Sequence, residues 1–175
     1  MYIKPLEEGD LAAISQIYIN NWRENYKNIL PGDFLAAMDE RKEIKKWRSY
    51  HRSPGQSILV AIDGEVLGFA AYRPDYDFQD CLHLDYLHIA SAHQGKGVGK
   101  SLLFAVGRYA WYSGYDKMSI YHIIGNHRAN AIYRHLGAVH CGEFIDDFQG
   151  ASAPSVKLIW DNLDWARPTK TLKKD

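Results

Sequence analysis

The stretch Leu82-His83-Leu84-Asp85-Tyr86-Leu87-His88-Ile89, followed after four residues by Gln94-Gly95-Lys96-Gly97-Val98-Gly99-Lys100-Ser101-Leu102-Leu103, decides the reading of the chain. Its first part, through Leu82, Leu84, Leu87 and Ile89, is an apolar run of the kind strands use. Beyond the glycines, Leu102, Leu103, Val106 and Ala110 recur at helical spacing. The chain therefore passes from strand to helix through a glycine-bearing turn. A helix starting there presents amides with no intrahelical acceptor, at the positive end of a dipole worth about half an elementary charge. Glycines remove the Cβ atoms that would hold a phosphate off the backbone, and Lys96 and Lys100 add positive charge. A pyrophosphate is the natural occupant of such a turn.

The spacing excludes two common phosphate loops. Gly99-Lys100-Ser101 lacks the glycine five positions earlier that a P-loop needs, and glycines at 95, 97 and 99 miss the Gly-x-Gly-x-x-Gly fingerprint of dinucleotide folds. The pattern present is Gln-x-x-Gly-x-Gly. After Gly114, Lys117–Ile123 reads as another strand, and Asn126–Ala138 as a helix with Ala129, Ile132, Tyr133 and Leu136 on one face and Gly137 as its C-cap.

These two segments resemble the two signatures of the GNAT superfamily of N-acetyltransferases. Gln94, Gly97 and Gly99 match its acyl-CoA pyrophosphate loop; Asn126, Ala129, Tyr133 and Gly137 match its second signature, in the right order and with the right elements between. The resemblance implies acetyl-CoA as acyl donor, its diphosphate held by Gln94, Gly95, Lys96, Gly97, Val98, Gly99 and Lys100. It implies that backbone groups near Leu87, His88 and Ile89 pair with the pantetheine arm in a splay between the central strand and the next. It also implies that Asn126 contacts the donor and that the Tyr133 hydroxyl faces the thioester sulfur.

Length and composition suit a single folded domain. A chain of 175 residues suits one domain, expected over residues 1–167, with a polar, basic tail at 168–175. Hydrophobic content of 46% is ordinary, and a formal net charge of zero argues against a protein devoted to nucleic acid. No apolar run approaches a membrane span, and the N-terminus carries no signal-peptide pattern, so a cytoplasmic location is expected, with both cysteines, Cys81 and Cys141, as buried thiols. The eight histidines match no zinc spacing, so no metal is expected.

Along the chain, Tyr2–Leu6 reads as a strand, and Asp10 as the N-cap of a helix carrying Leu11, Ile14, Ile17, Tyr18 and Trp22 at three- and four-residue spacing. Pro31 opens a helical region reaching about Tyr50. Strands at 57–62 and 66–72 join at Asp63-Gly64, a strong hairpin signal. Two more strands, Val139–Phe148 and Ser155–Ile159, close the chain. The order β-α-α-β-β-β-α-β-α-β-β predicts a mixed α/β fold: a mostly antiparallel sheet of about seven strands with helices on both faces. It is the order of the GNAT fold. Dimers are frequent in that superfamily, with the strands after Val139 as the candidate contact.

Transfer from a thioester to an amine requires a neutral amine, a donor for the oxyanion and a proton for the leaving thiolate. Tyr133 is the candidate acid, since a phenol of pKa about 10 can protonate a thiolate whose acid has pKa about 8.5. A backbone N–H of the central strand, such as that of Ile89, is the candidate oxyanion donor. The base stays open. Strict alternation puts residues 83, 85, 87 and 89 on one face, which makes His83 and Asp85 the ionisable pair there. Relatives often carry a glutamate on this strand; Glu24 is a third candidate, and a water chain a fourth. The acceptor, a small-molecule or peptide amine, would meet an aromatic wall of Trp22, Tyr26, Tyr72, Tyr76 and Phe78 with an acidic rim of Glu24, Asp75, Asp77 and Asp80, a combination that suits a cation. A non-catalytic acyl-CoA-binding module on the same fold is the alternative, and a nucleotide-phosphate binder a third reading.

Overall fold

A computed structural model describes residues 1–148 and 150–167; the tail expected from 168 lies outside the described residues. The strands are β1 (Tyr2–Pro5), β2 (Ser57–Asp63), β3 (Glu65–Pro74), β4 (Cys81–Ile89), β5 (Lys117–Ile123), β6 (Val139–Asp147) and β7 (Ser152–Trp160). The helices are α1 (Leu11–Asn25), α2 (Gly32–Ala36), α3 (Glu40–Arg52), α4 (Val98–Tyr112) and α5 (His127–His135). The strands form one sheet in the order β1-β2-β3-β4-β5-β7-β6. Every neighbouring pair is antiparallel except β4 and β5, which the α4 crossover makes parallel.

Each face of the sheet is covered by the apolar stripe of its helices. Ile14, Tyr18 and Trp22 of α1 and Trp47 of α3 pack with Ile58, Val60 and Phe69 on one face. Leu102, Leu103 and Val106 of α4 pack with Leu82, Leu84 and Met118 on the other, where Tyr133 of α5 joins them. The β2–β3 hairpin turns at Gly64, whose φ of +75° needs a glycine.

Three local expectations are corrected. The helical region after Pro31 divides in two, because the Asp39 side chain accepts from Lys42 N–H at 3.0 Å and starts a new helix. Asp10 occupies the N-cap position of α1 without capping it; its carboxylate turns back to Glu7 N–H at 2.9 Å and to Lys4 at 2.9 Å. Cys141 is exposed on the edge strand β6, while Cys81 is buried.

The feature that positions the site lies in β4. Tyr86 pairs with Ala71 and Leu84 with Tyr72, so Asp85 is an extra residue opposite no partner on β3. This bulge shifts the alternation by one. Leu82 and Leu84 face α4 before it, and Leu87 and Ile89 face α4 after it. The expectation that residues 83, 85, 87 and 89 share a face therefore fails at Asp85. His83 lies on the opposite face to Leu87 and Ile89. At the same point the sheet opens: β4 pairs with β5 from Cys81↔Lys117 to Leu84↔Ile120, and no pair follows.

Candidate active site

Beyond the Leu84↔Ile120 pair, β4 has a neighbour only on its β3 side. Ala90 N–H bonds Leu67 O at 2.9 Å, and ladder alternation then turns the N–H and C=O groups of Leu87 and Ile89 away from β3, into the gap toward β5. The Ile89 carbonyl is occupied there by Asn21 Nδ2 at 3.0 Å and Gln94 Nε2 at 3.2 Å. A cavity of about 1550 Å³ opens in the gap; Asp85 to Ile89 of β4 and Ile120 to Ile123 of β5 form two of its walls.

The glycine turn closes one end. Gly95 and Gly97 have φ of +76° and +85°, the left-handed conformation that an L side chain resists. Gly97 is the residue before α4, whose ladder begins with Ser101 N–H on Gly97 O at 3.0 Å. The amides of Val98, Gly99 and Lys100 precede that ladder, at the positive end of a helix of 15 residues. Gln94, Gly95, Gly97, Gly99 and Lys100 line the cavity, and so does Arg128, whose guanidinium bonds Gln94 Oε1 at 2.5 Å. This donor set fits a diphosphate: free amides, a lysine and an arginine on one concave surface. One expected member stands outside it: Lys96 is exposed and absent from the lining. Val98 belongs to it by its amide alone, its side chain being buried in the α4 core.

Tyr133 and Asn126 come from α5 on the far wall. Tyr133 is buried against Trp160, with ring centroids 6.0 Å apart, and borders the cavity. Burial, with a smaller contribution from Tyr26, pushes its phenol well above the usual 10, so it keeps its proton. Asn126 caps α5 by accepting from Ala129 N–H at 3.2 Å and donates to the Tyr26 hydroxyl at 3.2 Å. Sequence reading gave it a ligand role and missed its cap.

The remaining predicted residues divide. Trp22 and Tyr26 line the cavity, 5.1 Å apart at 61°. Tyr72 lies on the other face of the sheet, buried against Tyr109 of α4 at 4.9 Å, because alternation along β3 turns it away from the face of Phe69 and Ala71. Tyr76 is 75% exposed under the Arg73 guanidinium, away from the lining. Glu24 is also outside it, its carboxylate accepting from Ser91 Oγ at 2.5 Å. Asp75 and Asp77 form no rim; they grip Lys157 at 3.0 and 2.7 Å. The Lys157 ammonium also lies over Phe78, 4.4 Å from its centroid. Asp85 borders the cavity, whereas His83 is buried behind it.

Several lining residues were not anticipated. Lys46 extends among Tyr18, Trp47 and Tyr86, at 4.0, 4.5 and 4.8 Å from their ring centroids, and donates to the Tyr18 hydroxyl at 2.9 Å. Burial draws its ammonium below the usual lysine value. His88 was expected here for its backbone, but that backbone faces Phe69 of β3 and only the side chain reaches the cavity. Its ring stacks on Phe69 at 5.5 Å, and burial, aided by Lys46, lowers its pKa to about 3, so the ring is neutral. Asp146 of β6 lines the cavity with its carboxyl raised by burial. Asn21 was legible: it falls on the apolar face of α1 with Ile14, Ile17 and Trp22, where a polar residue must have a partner. Among the described residues, no three His, Cys, Asp or Glu side chains converge as a metal site, and no helix is long and apolar enough to cross a membrane.

The Acetyltransferase (GNAT) family model matches residues 11–138. The chain is 25% identical over 158 residues to the uncharacterized N-acetyltransferase YuaI of Bacillus subtilis (strain 168), covering 88% of this chain and 89% of that one. Among solved structures it is similar to a ribosomal-protein-alanine N-acetyltransferase from Brucella melitensis, with a TM-score of 0.72 at 23% identity, covering 91% of this chain and 99% of that one. It is also similar to yncA, a putative acetyltransferase from Salmonella typhimurium solved with its cofactor acetyl-CoA, with a TM-score of 0.70 at 20% identity and 98% of each chain covered.

Proposed function

Because the chain belongs to the acetyltransferase (GNAT) family, we propose that it is an N-acetyltransferase that moves the acetyl group of acetyl-CoA directly to a primary amine. The observation that carries this reading is the parting of β4 from β5 after Leu84 and Ile120, with free amides at one end of the gap and Tyr133 on its wall.

Acetyl-CoA supplies an activated thioester. The chain's own residues supply the rest. The amides of Val98, Gly99 and Lys100, with the Lys100 and Arg128 side chains, bind the diphosphate. The gap-facing N–H and C=O of Leu87 pair with the pantetheine arm as a neighbouring strand would, and the Ile89 N–H is the donor available to the acyl oxygen. Tyr133, held protonated by burial, donates to the departing sulfur.

The acceptor side favours a cation. Its lining carries five carboxylates (Asp39, Glu43, Asp85, Asp146, Asp147) against three cations (Lys42, Lys46, Arg73), with Trp22 and Tyr26 offering ring faces. Acetyl transfer to a panel of polyamines, aminoglycosides, amino acids and peptides, followed by CoA thiol release and product mass, tests this. Turnover on cationic amines is expected. Turnover confined to neutral or anionic acceptors would remove the cationic preference. Tight CoA binding without turnover on any amine would favour a non-catalytic acyl-CoA-binding module.

A further inference from the structure

We propose that His83 takes up the proton shed by the acceptor amine, acting through Asp85, and that Ser119, Asp75 and Lys157 fix its ring for that task. The proposal rests on the N-acetyltransferase reading and adds to it the residue behind the base.

His83 is 1% exposed, and its Nδ1 lies 2.7 Å from Ser119 Oγ. That hydroxyl donates to Asp75 Oδ2. Asp75 also accepts from Asp77 N–H at 2.8 Å and Lys157 Nζ at 3.0 Å. A serine hydroxyl has one hydrogen, and Ser119 spends it on Asp75. Its oxygen must then accept from the ring, so the hydrogen of His83 sits on Nδ1. Nε2 is left facing Asp85 Oδ1 at 3.3 Å, buried and with no aligned hydrogen-bond partner. A buried polar atom in that condition is rare and calls for a role. A lone pair aimed at a carboxylate is a site short of one proton.

Asp85 connects this site to the cavity. Its Oδ2 accepts from Arg73 Nε at 2.8 Å and from the Tyr50 hydroxyl at 2.9 Å, which leaves Oδ1 for the amine and for His83. Burial pushes its pKa up, and Arg73 and Tyr50 are among the groups that outweigh burial and hold it below the usual carboxylate range. His83 Nε2, 3.3 Å behind Asp85 Oδ1, is a second acceptor placed for the same proton. In the step, an N–H bond of the acceptor ammonium breaks and the proton settles between Asp85 Oδ1 and His83 Nε2. The amine keeps its electron pair for the acyl carbon, and the positive charge moves onto a ring flanked by two carboxylates. The other groups around His83 are Tyr121 of β5, whose ring centroid is 4.2 Å away, and Asp146 of β6, which acts on the same neighbourhood.

His83 touches no substrate and is a positioning residue, so its test needs readouts that a structural role would not move. Histidine nitrogen NMR on the full chain should find the ring hydrogen of His83 on Nδ1, with that preference lost in Ser119→Ala. A neutral ring carrying its hydrogen on Nε2 would overturn the proposal. With an amine that turns over, His83→Gln should lower kcat/KM about 100-fold near pH 7 and recover toward wild type above about pH 9, as free amine accumulates. CoA affinity should be unchanged, and Ser119→Ala should shift the profile the same way by less. Profiles parallel to wild type in both variants would refute the proposal, as would Asp146→Asn moving the acid limb instead. If His83→Gln does not fold, Ser119→Ala and the NMR assignment decide. Absence of any wild-type turnover would count against the acetyltransferase reading, and the tautomer would still be decided by NMR.

Discussion

Leu84 stands opposite Ile120 in the last pair joining β4 to β5, and beyond it this parallel seam is open. One residue later Asp85 bulges away from β3, so the strand loses its β5 neighbour and changes parity at one place. Paired on both sides, β4 would have no backbone group to offer a ligand. The opening gives the N–H and C=O of Leu87 and the N–H of Ile89 no acceptor or donor of their own on the β5 side, and it brings the glycine turn, Asn126 and Tyr133 around one cavity.

Tyr133→Phe removes the hydroxyl and keeps the ring that packs on Trp160. Turnover should fall about 100-fold, the lower end of what a positioned proton donor contributes. CoA affinity by calorimetry should stay within about twofold, because the ring contacts persist. Unchanged turnover would remove Tyr133 as the acid.

Gly97→Ala places a side chain at φ +85° with no neighbour within 4 Å, so its cost is conformational, about 1–2 kcal/mol. Denaturant unfolding should show that loss, and CoA binding should weaken because the first amides of α4 turn with it. Gly99→Ala is the control. Its φ is not left-handed and the new Cβ would meet Ile89 Cγ1 at an ordinary 3.4 Å, so a smaller loss of stability is expected.

Gly68→Ala should destabilise for a different reason. A Cβ there would lie 2.6 Å from the His88 carbonyl oxygen and 3.1 Å from Ile89 Cα, and backbone cannot swing aside as a side chain does. Overpacking of this kind costs about 1–3 kcal/mol. The displaced strand carries Leu87 and Ile89, so the variant should lose CoA affinity along with melting temperature. A variant as stable as wild type would mean that β3 and β4 can part here without penalty.

These elements were unequally legible in the sequence. The glycine turn announced itself because Gly95 and Gly97 adopt angles other residues avoid, and the helix ending at Gly137 did so for the same reason, with φ of +89°. The Asp85 bulge was written in the parity of the apolar residues, even at Leu82 and Leu84 and odd at Leu87 and Ile89, yet a strict alternation rule reads across it. That single slip misplaced His83 relative to Leu87. Lys46 and Asp146 could not be found at all: a lysine on a polar helix and an aspartate on an edge strand become cavity residues only when α3 and β6 are brought to the mouth of the gap. Long-range placement of that sort has no local signal.

His88 gives a pH signature. Burial, then Lys46, depress its pKa from 6.5 to about 3 in the folded chain. A depressed folded value means that the unfolded chain binds the proton first, so the contribution to stability is complete above about pH 6.5 and is lost as pH falls toward about 3. Within that window it changes by at most about 1.4 kcal/mol per pH unit. Unfolding midpoints at pH 7.5 and pH 5 should differ less in His88→Gln than in wild type. An equal acid loss in both would assign it to other groups.

Titration of the full chain with CoA, beside ATP as the competing phosphate ligand, tests the cavity's assignment most directly. One CoA per chain is expected, weakened in Gly97→Ala, with a stabilisation of about 2.7 kcal/mol at a hundredfold excess over the dissociation constant and little effect from ATP. No CoA binding, or binding of ATP as tight as that of CoA, would contradict an acyl-CoA site between β4 and β5.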